Sequence, residues 1–113
     1  MVDLESIEHI YIFPGLTDMR LGIFGLRKII IETTELESNS LYIFCSKNKN
    51  QVKLIETSDS SIWLYQNKLV HGKFLRPMVG EKSELTKKQL KLIIEGSGLV
   101  DSIENKGKKT SYF

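Results

Sequence analysis

The sequence predicts an α+β domain in which an antiparallel sheet of four to five strands is flanked by two helices. Three runs rich in β-branched and aromatic residues, 41–45, 52–56 and 62–65, are separated by gaps of Asn, Ser, Asp and Lys. This alternation is typical of successive antiparallel strands. Two amphipathic stretches, one on each side of these runs, have the apolar spacing of helices. A chain of 113 residues is long enough for one domain with a single core.

The chain opens with a predicted strand over residues 9–13, which the turn signal Pro14-Gly15 ends. A helix is then expected over residues 20–33, with Thr17 or Asp18 as its N-cap, because the first N–H groups of a helix need an acceptor. The apolar stripe of this helix consists of Met19, Ile23, Leu26 and Ile30.

Two glycines fall inside this predicted helix, although each costs about 1 kcal/mol relative to alanine. We expect Gly22 and Gly25 to allow a close approach of the helix to the sheet or to another helix. The G-x-x-G spacing is too short to indicate a phosphate-binding loop.

Charge is distributed unevenly along the sequence. Residues 1–40 hold three basic and seven acidic side chains, a net charge of −4, whereas residues 41–77 hold six basic and two acidic ones, a net charge of +4. Residues 78–113 hold seven lysines and five acids, a net charge of +2. This asymmetry indicates an acidic and a basic surface, and favours nucleic acid or another charged partner.

The period of two along the central strands assigns their side chains to two faces. Those predicted to face a core are Val52, Leu54, Ile62 and Leu64, and those predicted to lie opposite are Gln51, Lys53, Trp63 and Tyr65. Trp63 and Tyr65 could stack on bases, but we favour packing for Trp63, since the chain has one tryptophan and two helices to place. The predicted contacts to DNA phosphates are Lys47, Lys49, Lys53, Lys73 and Arg76. A solvated sheet with polar hairpin tips would show the same pattern.

The C-terminal third contains the strongest local signal. After a short strand over residues 73–75, Thr86 and Gln89 form a capping box, and Leu85 and Leu90 occupy the positions of a hydrophobic staple around it. This predicts a helix over residues 87–95, followed by Gly96 as its C′ residue. The predicted domain covers residues 1–100, and the polar, basic tail 101–113 is expected to be poorly ordered.

No pattern of catalytic or metal-binding residues stands out. His9, His71 and Cys45 lie far apart in sequence, and Cys45 ends an apolar strand, so we expect a buried thiol, no metal and no cofactor. Asp18 and Arg20 could belong to a binding or catalytic constellation; we favour Asp18 as a helix cap and Arg20 paired with a nearby acid or carbonyl. No apolar stretch approaches the roughly 20 residues of a membrane span, and the acidic N-terminus is unlike a secretory signal. A cytoplasmic location is expected.

Taken together, these segments resemble one protein family. Residues 17–26, TDMRLGIFGL, resemble its T-D-M-R-x-G-x-x-G-L signature, residues 41–44, LYIF, its L-F-V-F strand, and residues 85–90, LTKKQL, its L-T-x-x-Q-L helix. Leu69, Gly72, Phe74 and Pro77 have the spacing of its L-x-x-G-x-F-x-x-P block. The family is the TnpB (Orf2-like) accessory protein of the insertion-sequence-sixty-six group of bacterial transposable elements. The positions that match the signature are Thr17, Asp18, Met19, Arg20, Gly22 and Gly25.

The resemblance implies a protein encoded by the element that is needed in DNA transposition alongside a separate transposase. It does not extend to the turn and strand after residues 41–45, where the family usually has R-x-D-R-x-K-x-L but this chain has KNQVKL. Tryptophans and D-G-D-G usually follow in the family, where this chain has ETSDSS. We therefore predict a non-catalytic accessory protein that binds DNA, the transposase, or both. A protein–protein adaptor that never contacts DNA is the alternative.

Overall fold

A computed structural model describes residues 4–13, 17–70 and 83–94 of the chain. Their five strands are β1 (His9–Ile12), β2 (Ser40–Cys45), β3 (Gln51–Thr57), β4 (Ile62–Lys68) and β5 (Ser83–Glu84). The two helices are α1 (Ile23–Thr33), between β1 and β2, and α2 (Lys87–Ile94), after β5. None of the helices in these ranges is long and apolar enough to span a bilayer.

The strands form one mixed sheet in the order β4-β3-β2-β1-β5. β1 and β2 are parallel, with Ile10 opposite Leu41, whereas every other pairing is antiparallel. The expectation of an antiparallel sheet was therefore wrong at one pairing. The reason is that α1 returns the chain to the end of the sheet where β1 began, and such a crossover places the next strand parallel to the first.

Both faces of the sheet are covered, one by each helix. On the α1 face, Leu26 and Ile30 pack with Tyr42, Phe44 and Ile55. The α2 face buries Leu90 of the other helix in a second cluster, with Ile10, Ile12, Leu41, Ile43, Cys45, Val52 and Leu54. Because β2 lies between two apolar layers, all six of its residues are buried, which explains its unbroken apolar sequence.

The predicted faces of β3 and β4 need a correction. Leu54 lies opposite Tyr65 and Ile55 opposite Leu64, so Val52 and Leu54 lie on the α2 face while Ile62 and Leu64 lie on the α1 face. The predicted alternation of faces along each strand was right. Which face of β4 continues a given face of β3 depends on the connecting turn. That turn is closed by a bond of 2.9 Å from Ser58 N–H to the Ser61 carbonyl, which fixes the register.

Helix α1 begins later than predicted and without the predicted cap. Its N-cap is Gly22, which offers no side-chain acceptor, and neither Thr17 nor Asp18 caps it. Residues 18–21 form a turn instead, in which Leu21 N–H donates to the Asp18 carbonyl at 3.1 Å. A methyl group added at Gly25 would lie 2.8 Å from Leu21 Cδ2, so the close contact of this glycine is with Leu21 and not with the sheet or another helix.

The uncapped start of α1 yields a stability prediction. Gly22 has extended backbone angles suited to an N-cap, and a Cβ added there meets no atom within 4 Å. A serine hydroxyl at this position can accept one of the first free N–H groups, whereas alanine cannot. We expect Gly22→Ser to be more stable than Gly22→Ala by about 1 kcal/mol, measured by urea denaturation. Equal stability of the two variants would show that α1 begins elsewhere in solution.

The capping box of α2 is confirmed. Thr86 N–H donates to Gln89 Oε1 at 2.8 Å, and Gln89 N–H donates to Thr86 Oγ1 at 3.1 Å. Leu85 packs against the α2-face cluster that buries Leu90, as the staple predicts. The remaining C-terminal predictions, the strand over 73–75, Gly96 and the tail 101–113, lie outside the described residues, as do Pro14, Gly15, His71, Lys73 and Arg76.

Candidate nucleic-acid interface

Basic side chains collect at one end of the sheet, where β2 ends and β3 begins. The turn over residues 46–50 joins these two strands, and β4 finishes at the same end, with Lys68 opposite Gln51 and Leu69 N–H bonded to the Asn50 carbonyl at 2.6 Å. We call this the basic end, and its described members are Arg20, Lys47, Lys49 and Lys68. Lys47 and Lys68 are exposed.

The 46–50 turn is held by hydrogen bonds that centre on Ser46. Lys49 N–H donates to the Ser46 carbonyl at 3.0 Å, and Gln51 N–H donates to Ser46 Oγ at 3.1 Å. Lys49 has a φ of 61°, in the left-handed region. These bonds define the backbone of the turn from which the two lysine side chains extend.

The signature segment, residues 17–22, lies at the same end. Thr17 N–H donates to the Cys45 carbonyl at 3.1 Å, which attaches the segment to the last residue of β2. At its other end, the Leu21 carbonyl accepts a bond of 2.8 Å from Lys53 Nζ. Arg20, whose side chain is 91% exposed, lies between these two points of attachment.

Lys53 is not placed as a DNA contact. Only 6% of this residue is exposed, and its ammonium group is turned inward to the Leu21 carbonyl, on the α1 face beside Phe44. The strand pattern placed Lys53 on the correct side of β3 but could not reveal that α1 and the signature segment cover that side. Lys53 is therefore not among the residues that we propose to contact DNA.

Asp18 and Arg20 form an ion pair with each other. The guanidinium donates through Nε to Asp18 Oδ1 at 3.0 Å and through a terminal nitrogen to Oδ2 at 2.8 Å, and Arg20 N–H also donates to Oδ1. These bonds lower the pKa of Asp18 to about 2 and raise the pKa of Arg20. The expected acid partner of Arg20 is thus Asp18 itself, which is why Asp18 does not cap α1.

The opposite end of the sheet is acidic, with Glu8, Glu35, Glu37, Asp59 and Glu84. Tyr11 donates to Glu37 Oε2 at 2.6 Å, and Ser38 Oγ donates to Asp59 Oδ1 at 2.5 Å. Burial and the Glu37 carboxylate both raise the pKa of the Tyr11 hydroxyl. A surface pocket of about 230 Å³ lies here, between the 58–61 turn and the chain leaving α1. Asp18 pairs with Arg20 at the basic end, but the acids named here are separated in space from Lys47, Lys49 and Lys68.

Four large apolar side chains of the described residues are exposed: Phe24, Ile31, Trp63 and, just after β4, Val70. Phe24 is 84% exposed and Ile31 46%; their spacing of seven places them on one outward stripe of α1. Trp63 on β4 is 57% exposed, so the expectation that it packs under a helix was wrong. The cluster that contains Leu90 of α2 extends on β4 to Tyr65 but not to Trp63. The sequence pattern does not distinguish these residues from core positions.

The residues considered for catalysis are spread through the described structure. Cys45 is a buried free thiol within the α2-face cluster. His9 Nδ1 lies 2.8 Å from Glu84 Oε2, and this hydrogen bond raises the pKa of the imidazole. Within residues 4–13, 17–70 and 83–94, no three His, Cys, Asp or Glu side chains come together as ligands for a metal ion would. The chemistry that the basic end offers is that of exposed cations.

Comparison with protein-family models found one family, described as the IS66 Orf2-like protein, which matches residues 8–102. Comparison with curated proteins and with solved structures gave no match. The matched range contains the signature segment, the five strands and both helices, and hence every described residue of the basic end. The chain therefore belongs to the IS66 Orf2-like family, the TnpB accessory proteins of insertion-sequence transposition.

Proposed function

We propose that this accessory protein has no catalytic step of its own and binds DNA through the basic end of the sheet. The observation that carries the proposal is that Lys47, Lys49 and Lys68 lie at one end of the sheet, away from the acidic end. Arg20 lies at the same end, paired with Asp18. Such a field attracts a polyanion and orients the protein on it. We also propose Lys73 and Arg76 as DNA contacts, on the evidence of the sequence alone.

The contacts proposed are to phosphates and not to base edges. Lysines present a flexible point charge, which suits the DNA backbone, whereas specific base contacts need paired donors and acceptors held in a groove. Phosphate contacts fix the position of a protein on the duplex but carry no sequence information. We therefore expect similar affinity for different duplexes of one length.

The direct experiment is a fluorescence-anisotropy titration of the full chain against an element-end duplex and a random duplex at several salt concentrations. Binding to both is expected, with an affinity that falls as salt rises, by about 0.9 log units per phosphate contact for each tenfold change in salt. The absence of binding at moderate salt would contradict the proposal and favour the adaptor.

The Asp18–Arg20 pair makes a second prediction. Asp18→Asn removes a negative charge from the basic end and releases the Arg20 guanidinium. We expect tighter DNA binding and a salt slope steeper by up to about one unit, since one more cation can reach a phosphate. Glu35→Gln, which makes the same charge change at an exposed position of the acidic end, is the control and should leave the slope unchanged. Weaker binding by Asp18→Asn would indicate that the carboxylate itself contacts the ligand.

The alternative, an adaptor for the transposase or another protein of the element, is favoured by one observation. The outward stripe of α1 exposes Phe24 and Ile31, and Arg27 and Lys28 of the same helix are exposed as well. A phenylalanine that is 84% exposed is unusual and can mark a contact with another protein. Phe24→Ser should leave stability almost unchanged and reduce co-purification with the purified transposase, if this stripe is the contact. DNA binding by the same variant should be unaffected, which separates the two functions.

A further inference from the structure

The edge strand β4 is unlike the opposite edge of the sheet. β5, at the other edge, is only two residues long, whereas β4 has seven residues and pairs with β3 on one side only among the described strands. β4 contains no proline, glycine or acid, and its one charged residue, Lys68, stands at its end. Natural sheets usually protect a long edge with such residues, because its free N–H and C=O groups pair with other strands.

We propose that β4 pairs with β4 of a second copy of this chain, in an antiparallel two-fold arrangement that makes one continuous ten-stranded sheet. The charge distribution selects both the partner and the direction. Antiparallel pairing sets the basic end of one copy beside the acidic end of the other, whereas parallel pairing would bring like ends together. A two-fold interface uses the same surface on both copies, so this complementarity is obtained twice.

The side chains of β4 select a register centred on Leu64. In that register Trp63 lies opposite Tyr65 of the second copy, on the α2 face of both, and makes an aromatic cross-strand pair. It also brings Lys68 opposite Ser60 of the second copy, next to Asp59. Trp63, which is 57% exposed in the single chain, and Asp59, in the exposed 58–61 turn, thereby both gain partners in the second copy. The inference does not depend on DNA binding.

The test is sedimentation of the full chain over a wide concentration range, with a charge-exchange series. Wild type is expected to form a dimer of twice the 13.0 kDa chain mass. Lys68→Glu and Asp59→Lys should each weaken dimerisation about tenfold, because each places like charges together twice, and the double variant should restore it. Both residues are exposed, and thermal unfolding of each variant followed by circular dichroism checks that the fold is retained.

Trp63→Thr provides a second variant that keeps strand propensity while it removes the aromatic pair, and it should also weaken the dimer. A monomer at every concentration would overturn the proposal. A dimer that the single charge variants leave unchanged, or that the double variant does not restore, would overturn it as well, because its interface would then lie elsewhere.

Discussion

Replacing Lys53 by methionine is expected to lower the free energy of unfolding by about 2 kcal/mol, a large effect for a lysine on a sheet. Methionine keeps most of the apolar stem that packs beside Phe44 but cannot donate to the Leu21 carbonyl. A hydrogen bond from a charged donor contributes about 1.5–3 kcal/mol. In the methionine variant the Leu21 carbonyl loses the donor that Lys53 supplies. The signature segment should also become less firmly attached to β3.

Urea denaturation measures this change, with Lys47→Met as the matched control. Lys47 is exposed at the 46–50 turn, so its replacement should alter stability by less than about 0.5 kcal/mol. If Lys53→Met instead keeps wild-type stability and loses DNA affinity, Lys53 is a phosphate contact and its bond to Leu21 does not persist in solution.

The elements that sequence analysis predicted well are those determined by neighbouring residues. Helix α2 starts where Thr86 and Gln89 place it, because the capping box lies within a single turn of chain. The strand β2 was equally evident, since burial on both faces requires an unbroken apolar run. Both signals are complete within a few residues.

The start of α1 shows how two local signals compete. Asp18 is a good N-cap residue. Its carboxylate instead accepts two bonds from the guanidinium of Arg20 and one from the Arg20 backbone N–H. The cap was therefore lost to an ion pair, and α1 began at Ile23. A cap and an ion pair would both be charge-assisted bonds of the Asp18 carboxylate, and in the observed turn this carboxylate is already occupied by the guanidinium and the backbone N–H of Arg20.

What sequence analysis could not supply depends on long-range pairing. The parallel pairing of β1 with β2 follows from the path of α1 across the sheet, and the phase between β3 and β4 follows from the 58–61 turn. The same limit applies to the site. Lys47 and Lys49 were evident as a basic turn, but only the topology joins them to Arg20 and separates them from Lys53.

The largest effect on function is expected from Lys47→Ala combined with Lys49→Ala. If each lysine contacts one phosphate, their removal abolishes the release of about two counterions and weakens binding to all duplexes alike. Lys47 is exposed and should contribute little to stability, whereas Lys49 is half-buried, so urea denaturation of the double variant checks that the fold is retained. Lys87→Ala combined with Lys88→Ala is the matched control, since it removes the same charge from exposed positions on α2. Those lysines lie beyond β5, which runs toward the acidic end.

The slope of log affinity against log salt, measured for wild type and for these two double variants, is the most direct test of DNA binding by the basic end. The Lys47/Lys49 variant is expected to have a slope shallower than wild type by nearly two units, about 0.9 for each lost contact. The Lys87/Lys88 variant should keep the wild-type slope. Equal slopes for wild type and the Lys47/Lys49 variant would contradict the proposed interface and place any DNA contact on another surface.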